Sequence, residues 1–165
     1  MQSLSAGARN NLVHGYFAPE GIGYTVGRVP IASTDFSPSV YSYDDTPGDL
    51  NLTNFALHPE DYNDKIPIIK MALELTQNKL KLFASPWAAP GWMKTTGKMV
   101  GGGAMIGDVN GPYYQTWANY FVRFFEEYAK NNVTFWGVTM ENEPTQAKDL
   151  NYGIQAMFYN GTMER

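Results

Sequence analysis

Cysteine is absent from the 165 residues. Its absence excludes disulfides, thiolate metal sites and a cysteine nucleophile, and it leaves the compartment open. Histidine is almost as scarce. His14 and His58 have no metal-ligand spacing between them and read as ordinary loop or surface residues, so no metal or cofactor is expected. Charged residues make up 17% of the chain, the net charge is −4 and the isoelectric point is about 5.1. No basic stripe stands out, which argues against nucleic acid as a partner. No apolar run approaches the ~20 residues that span a bilayer. Residues 1–10 lack the charged and apolar regions of a signal peptide, so either the chain stays in the cytosol or its native start lies upstream. Internal repeats, linkers and low-complexity runs are also missing. The glycines Gly101, Gly102 and Gly103 lack the Lys-Ser/Thr ending of a phosphate loop and read as a flexible connection.

Aromatic residues are plentiful, at 15%. They suit first an aromatic core and, more sharply, a carbohydrate site in which flat rings stack on sugar C–H faces, and composition alone does not choose between the two. Their distribution follows a strand-then-helix rhythm. Residues 24–31 (YTVGRVPI) read as a strand, followed by a long loop over 32–62 rich in Asp, Ser, Pro and Tyr. A helix is expected next, with Asp64 as N-cap, Pro67 in its first turn and Ile66, Ile69, Ala72 and Leu73 as its apolar stripe. A second strand covers 80–84 (LKLFA), and a second long loop carries Trp87 and Trp92. Gly111-Pro112 then opens the clearest helix. Tyr114, Trp117, Phe121, Phe124 and Tyr128 recur at alternate steps of three and four, Glu126, Glu127 and Lys130 form its solvated side, and Asn131-Asn132 stops it. The third strand spans 133–139 (VTFWGVT) and runs into Glu141-Asn142-Glu143-Pro144.

Repeated β-loop-α units imply parallel strands with helical crossovers, and functional groups belong at the C-terminal ends of such strands. Glu143 lies at one of these ends and suits the general acid/base of a glycosidase, which needs one carboxylic acid and one carboxylate. Alternation puts Glu141 on the same face, as a rival acid. Asn142 can donate to a sugar hydroxyl only if the strand end twists or bulges. Arg28, in the first strand, can hold carboxylates ionised and oriented. Asp35, just past that strand, can accept from sugar hydroxyls, and Trp87, just past the second, can stack on a sugar. Three sequons, at Asn51, Asn132 and Asn160, matter only if the chain enters the secretory pathway.

The segments 21–36 (GIGYTVGRVPIASTDF), 65–75 (KIPIIKMALEL), 82–95 (LFASPWAAPGWMKT), 114–125 (YQTWANYFVRFF) and 135–145 (FWGVTMENEPT) are long and specific. On them the chain resembles the glucosylceramidases, the acid β-glucosidases of glycoside hydrolase family 30, over nearly its whole length. The resemblance implies a (β/α)₈ barrel that hydrolyses glucosylceramide to glucose and ceramide with retention, in the lysosome. A saposin-type activator and an anionic membrane surface are the implied partners. By motif it makes Glu143 the acid/base, gives Asn142, Asp35 and Trp87 contacts to the sugar, and puts Arg28 beside the catalytic carboxylates. A full barrel needs about 250 residues. Residues 1–165 are therefore expected to form a partial catalytic barrel domain, incomplete at both ends, that holds family strands two to four and lacks the nucleophilic glutamate. Such a piece exposes unpartnered strand edges and an open inner face, so it is expected to fold poorly and to be inactive. Another retaining β-glycosidase of the same fold, or a non-catalytic fragment, are the alternatives.

Overall fold

The computed structural model describes residues 3–164; Met1, Gln2 and Arg165 lie outside the described residues. Three strands, β1 (Val26–Ile31), β2 (Lys81–Pro86) and β3 (Gly137–Val138), form one parallel sheet in the order β1-β2-β3. In the register, Val29 lies beside Ala84 and Arg28 beside Phe83, while Phe83 and Ala84 lie beside Gly137 and Val138. Side chains alternate between faces. Val29, Ile31, Leu82 and Ala84 therefore share one face, which is buried against the helices. The opposite face carries Arg28, Phe83 and Gly137 and is exposed or half-buried.

The helix α1 (Ala6–Phe17) has no counterpart in the sequence reading. Its apolar residues form no stripe and only Val13 is buried, so periodicity gives no sign of it. Local chemistry starts it: the Ser5 hydroxyl accepts from the Ala8 N–H at 3.2 Å. At its C-terminal end Tyr16 stacks on Tyr24, with ring centroids 5.9 Å apart.

The helix expected from Asp64 begins earlier. A π-helical turn over Asp61–Lys65 runs directly into α2 (Ile66–Leu75), so Asp64 lies within helical backbone and is not the N-cap. The wider turn has a visible purpose. Asp61 is fully buried, and its Oδ1 accepts from the hydroxyls of Tyr43 (2.7 Å) and Tyr128 (2.6 Å) and lies 3.2 Å from Lys65 Nζ. Lys65 also donates to the carbonyls of Pro30 (3.4 Å) and Ala32 (3.0 Å), at the C-terminal end of β1. A single buried carboxylate thus ties the long loop, α2 and the third helix to the strand end.

That third helix, α3 (Pro112–Lys130), buries Tyr114, Trp117, Phe121, Phe124 and Tyr128 as its spacing predicts, and Tyr120 besides. Each buried aromatic contributes on the order of 1.5–3 kcal/mol of transfer free energy. Glu126 and Glu127 stay on the solvated side, paired with Arg123 and Lys130. β3 is much shorter than the expected 133–139. Val133 is fully buried at the end of the turn after α3, and Phe135 packs on Phe124, Phe125 and Tyr128. The chain then bends at Trp136, which is 68% exposed. Pairing with β2 nonetheless continues in isolated steps, from Trp136 N–H to Leu82 O, Thr139 N–H to Ala84 O and Asn142 N–H to Pro86 O.

The glycine run is not a flexible connection. Gly101, Gly102 and Gly103 are buried, Gly101 and Gly103 have left-handed φ of 87° and 97°, and a Cβ on Gly102 would lie 2.2 Å from Ala147 O. Gly101 N–H donates to Ile154 O and Gly103 N–H to Ala147 O. Only glycine lets the loop after β2 lie this close to the chain that follows β3.

Both outer strands are open-edged among the described residues. A cleft of about 560 Å³ borders β1 and is lined by Arg28, Pro30, Lys65 and Ile69, and one of about 390 Å³ borders β3 between Phe125 and Trp136.

Candidate active site

The β-strands deliver their polar side chains to one place. Arg28 Nη2 donates to Asn142 Oδ1 at 2.7 Å, and the Arg28 guanidinium carbon lies 4.6 Å from the centroid of the Trp87 ring. Residues from β1, from the end of β2 and from the end of the third strand segment are thereby joined. A planar guanidinium can do both at once, stacking on an indole while its edge donates in plane. The Ser85 and Thr139 hydroxyls hydrogen bond to each other, joining β2 to the segment that follows β3.

Asn142 is fixed from both sides. Its N–H donates to Pro86 O at 2.8 Å and more weakly to its neighbour's Glu141 Oε1 at 3.3 Å. Regular alternation would turn it away from the face that carries Arg28. The chain departs from extended geometry here: Glu143 has φ of +46°, in the left-handed region, which costs a non-glycine residue about 1–3 kcal/mol. The conformation opens a turn in which Gln146 N–H donates to Glu143 O at 3.0 Å, leading into a short 3₁₀ helix, Gln146–Lys148.

The two glutamates separate as a result. Glu143 is exposed, and its carboxylate has no hydrogen bond or ion pair among the described residues. Glu141 is 8% exposed, with Oε2 unpartnered. Burial pushes the Glu141 carboxyl well above the ordinary carboxylate range, an effect that the backbone N–H of Asn142 and the charge of Lys94 only partly oppose. The shared face that alternation predicts for the pair does not occur. Lys94 gave no signal in the sequence. It is 1% exposed, and its ammonium donates to the carbonyls of Met99 (2.9 Å), Gly101 (2.9 Å) and Ala156 (2.6 Å). Burial draws it down to about 8.

Asp35 makes no hydrogen bond or ion pair with Arg28, Trp87 or Asn142 among the described residues. It is exposed, in a turn that Ser37 Oγ and Thr34 Oγ1 hold by accepting from the N–H groups of Thr34 and Phe36. That turn is tied from elsewhere: Gln155 Nε2 donates to Ser33 Oγ and Thr34 O, a link without a sequence signal. Beside Asp35, Phe36 is 91% exposed. The sequon asparagines Asn51, Asn132 and Asn160 are all exposed, although Asn160 Oδ1 already accepts from the N–H groups of Thr162 and Met163. No group of three or more His, Asp or Glu side chains able to hold a metal occurs among the described residues. No helix there is long and apolar enough to cross a membrane.

Parallel strands joined by helical crossovers, with polar and aromatic side chains at their C-terminal ends, have the architecture of a sector of a (β/α)₈ barrel. The model of the glycosyl hydrolase family 30 TIM-barrel domain matches residues 1–165, and the chain belongs to that family. It is 51% identical over its whole length to putative glucosylceramidase 4 of Caenorhabditis elegans, and 45% identical over 99% of its length to the lysosomal acid glucosylceramidase of Mus musculus. It spans about a third of each, 32% in both cases. Among solved structures it is similar to SrfJ from Salmonella typhimurium, with a TM-score of 0.86, 30% identity and coverage of 99% of this chain and 34% of that one.

Proposed function

We propose that these residues are the acid/base sector of a retaining β-glucosidase that cleaves glucosylceramide. The observation that carries this reading is the strand end itself, where Glu143 stands exposed one residue past Asn142, which Arg28 and Pro86 hold in place. In the proposed reaction Glu143 protonates the glycosidic oxygen as a second carboxylate attacks the anomeric carbon. Glu143 then takes a proton from the water that releases glucose. Asn142 and Trp87 orient the sugar, and the guanidinium of Arg28 keeps neighbouring carboxylates ionised. Asp35 reaches the sugar from the turn after β1. The second carboxylate of a retaining pair lies only about 5–5.5 Å from the first. We assign it to a part of the barrel not contained in these 165 residues, which we read as one partial catalytic domain.

The names of the relatives support the substrate, and that of the mouse relative supports a lysosomal setting. A saposin-type activator and an anionic membrane surface belong to the same proposal. So does glycan attachment at Asn51, Asn132 and Asn160, which requires passage through the secretory pathway.

The test has two arms. The purified 165-residue chain is expected to release no product from an aryl β-glucoside or from glucosylceramide, and measurable turnover would overturn the assignment of the nucleophile. In an enzyme extended to the length of its relatives, Glu143→Gln is expected to lower kcat on glucosylceramide by roughly 10²–10⁴-fold, the usual contribution of a general acid. A fall of less than tenfold would move the acid role elsewhere, Glu141 first.

A further inference from the structure

Gln155 is a buried amide that the proposed reaction does not use. It is 4% exposed and lies in the irregular chain beyond β3. Its backbone bridges Val100 and Gly101 in the loop after β2, and beside it Gly101 N–H donates to Ile154 O at 2.9 Å. Its side chain reaches the loop after β1. Nε2 donates to Ser33 Oγ at 3.1 Å and to Thr34 O at 3.2 Å, groups 122 and 121 residues away along the chain. The segments that follow β1, β2 and β3 therefore meet at this residue.

Both acceptors belong to the turn that carries Asp35. Ser33 is fully buried, and its hydroxyl donates to Tyr41 O at 2.8 Å while accepting from Tyr41 N–H at 3.0 Å. Thr34 O accepts a second time, from Ser37 N–H at 3.1 Å, which closes a β-turn with Asp35 and Phe36 at its tip. Within it, Phe36 N–H donates to Thr34 Oγ1 and Thr34 N–H to Ser37 Oγ. The foot of the turn is buried and its tip is exposed. An amide nitrogen carries two N–H donors, and Gln155 spends them on two neighbouring groups of that foot. Bonds of this kind, buried and linked in a network, strengthen one another in the low effective dielectric.

We propose that Gln155 is a positioning residue for Asp35. By tying the buried foot of the turn to the segments after β2 and β3, it fixes the point from which the Asp35 carboxylate meets the sugar. The proposal rests on the reading of Asp35 as a sugar contact, and goes beyond it in naming the group that sets its place.

The experiment is steady-state kinetics on an aryl β-glucoside, in an enzyme extended to the length of its relatives, with Gln155→Met, Asp35→Ala and the double variant. Methionine keeps the length of the side chain and removes both donors. Gln155→Met is expected to raise KM on the order of 10-fold and to leave kcat within about threefold, the signature of weakened substrate binding. Lower thermal stability and a lower apparent kcat with KM unchanged would make Gln155 a packing residue and overturn the proposal. Asp35→Ala is expected to raise KM as well, and adding Gln155→Met to it should raise KM by less than about twofold more, since the amide acts through Asp35. Effects that multiply in the double variant would also overturn it. Should Gln155→Met not fold, Gln155→Asn decides alone: its amide is one methylene short, so the turn must shift or lose its bonds, and an unchanged KM there overturns the proposal. An unchanged KM in Asp35→Ala would defeat the reading of Asp35, and no turnover in the unmodified extended enzyme would defeat the functional reading; either takes the proposal with it, by a result distinct from its own failure.

Discussion

Tyr128→Phe probes the buried node on which the long loop and α3 depend. The substitution removes one hydroxyl and nothing else. The ring keeps its packing against Phe124 and Phe135, with centroids 4.4 and 5.4 Å away. What is lost is the 2.6 Å bond to Asp61 Oδ1, leaving Tyr43 at 2.7 Å and Lys65 at 3.2 Å. A hydrogen bond to a charged group contributes about 1.5–3 kcal/mol net. Burial raises the hydroxyls of both tyrosines above their ordinary range, so both stay protonated through neutral pH and the loss should not vary with pH there. For a domain of this size a loss of 1 kcal/mol lowers Tm by roughly 2–4 °C, so Tyr128→Phe is expected to lower it by roughly 3–12 °C. Thermal unfolding followed by circular dichroism measures this, with Tyr43→Phe as a parallel. The double variant should lose more than the two single losses added together, since Asp61 is then left with Lys65 alone. A Tyr128→Phe chain within 0.5 kcal/mol of the unmodified one would refute the reasoning. A chain with no cooperative transition at all would show instead that the open edges and bare inner face outweigh the helix-covered core.

Glu141→Gln should stabilise the chain at neutral pH and flatten its stability–pH profile. The folded-state pKa of Glu141 is raised, so the unfolded chain binds fewer protons between the unfolded and the folded value, and stability falls as pH rises through that window. Urea midpoints across pH would show it, and an unchanged slope in Glu141→Gln would contradict it. Gly102→Ala should cost about 1–3 kcal/mol or more in the same assay, because its Cβ meets backbone, the Ala147 carbonyl at 2.2 Å, and backbone cannot rotate away. A neutral result would mean that the two loops separate easily.

The legible parts of this chain are those that repeat a period or carry a motif. α3 announced its buried face by its aromatic spacing, and the β-loop-α rhythm placed β1 and β2 within two residues of where they lie. The errors have a common cause in contacts distant along the chain. Asp64 looked like a cap because nothing local reveals that Asp61 is drawn inward by Tyr43 and Tyr128, the latter 67 residues away. The glycine run looked flexible because its reason, the approach of Ala147, lies more than forty residues downstream. Within the site, Arg28 contacts both Trp87 and Asn142, whereas Asp35 makes no such contact with them among the described residues. Lys94 and Gln155 escaped notice altogether, being single polar residues in irregular loops whose partners are backbone carbonyls and a hydroxyl.

The pair Glu141 and Glu143 shows how one departure from regular geometry can assign two roles. A continued strand would put both carboxylates on one face, at the spacing where like charges raise each other's pKa and either could serve as the acid. The left-handed Glu143 breaks that equivalence. Glu141 turns inward, where burial raises its carboxyl well above the ordinary range; Glu143 turns outward, with no side-chain partner among the described residues. An acid that must both deliver and recover a proton needs access to substrate and water, which Glu141 lacks. Under the proposed function, the backbone strain at Glu143 separates the proposed acid from its buried neighbour, and a variant that relaxes φ at this position should blur that separation. Glu143→Gly, which tolerates the same φ at no steric cost, should leave the buried environment of Glu141 intact, so that its raised carboxyl titration persists. Loss of that titration in Glu143→Gly would show that the side chain of Glu143, and not the turn, keeps Glu141 inside.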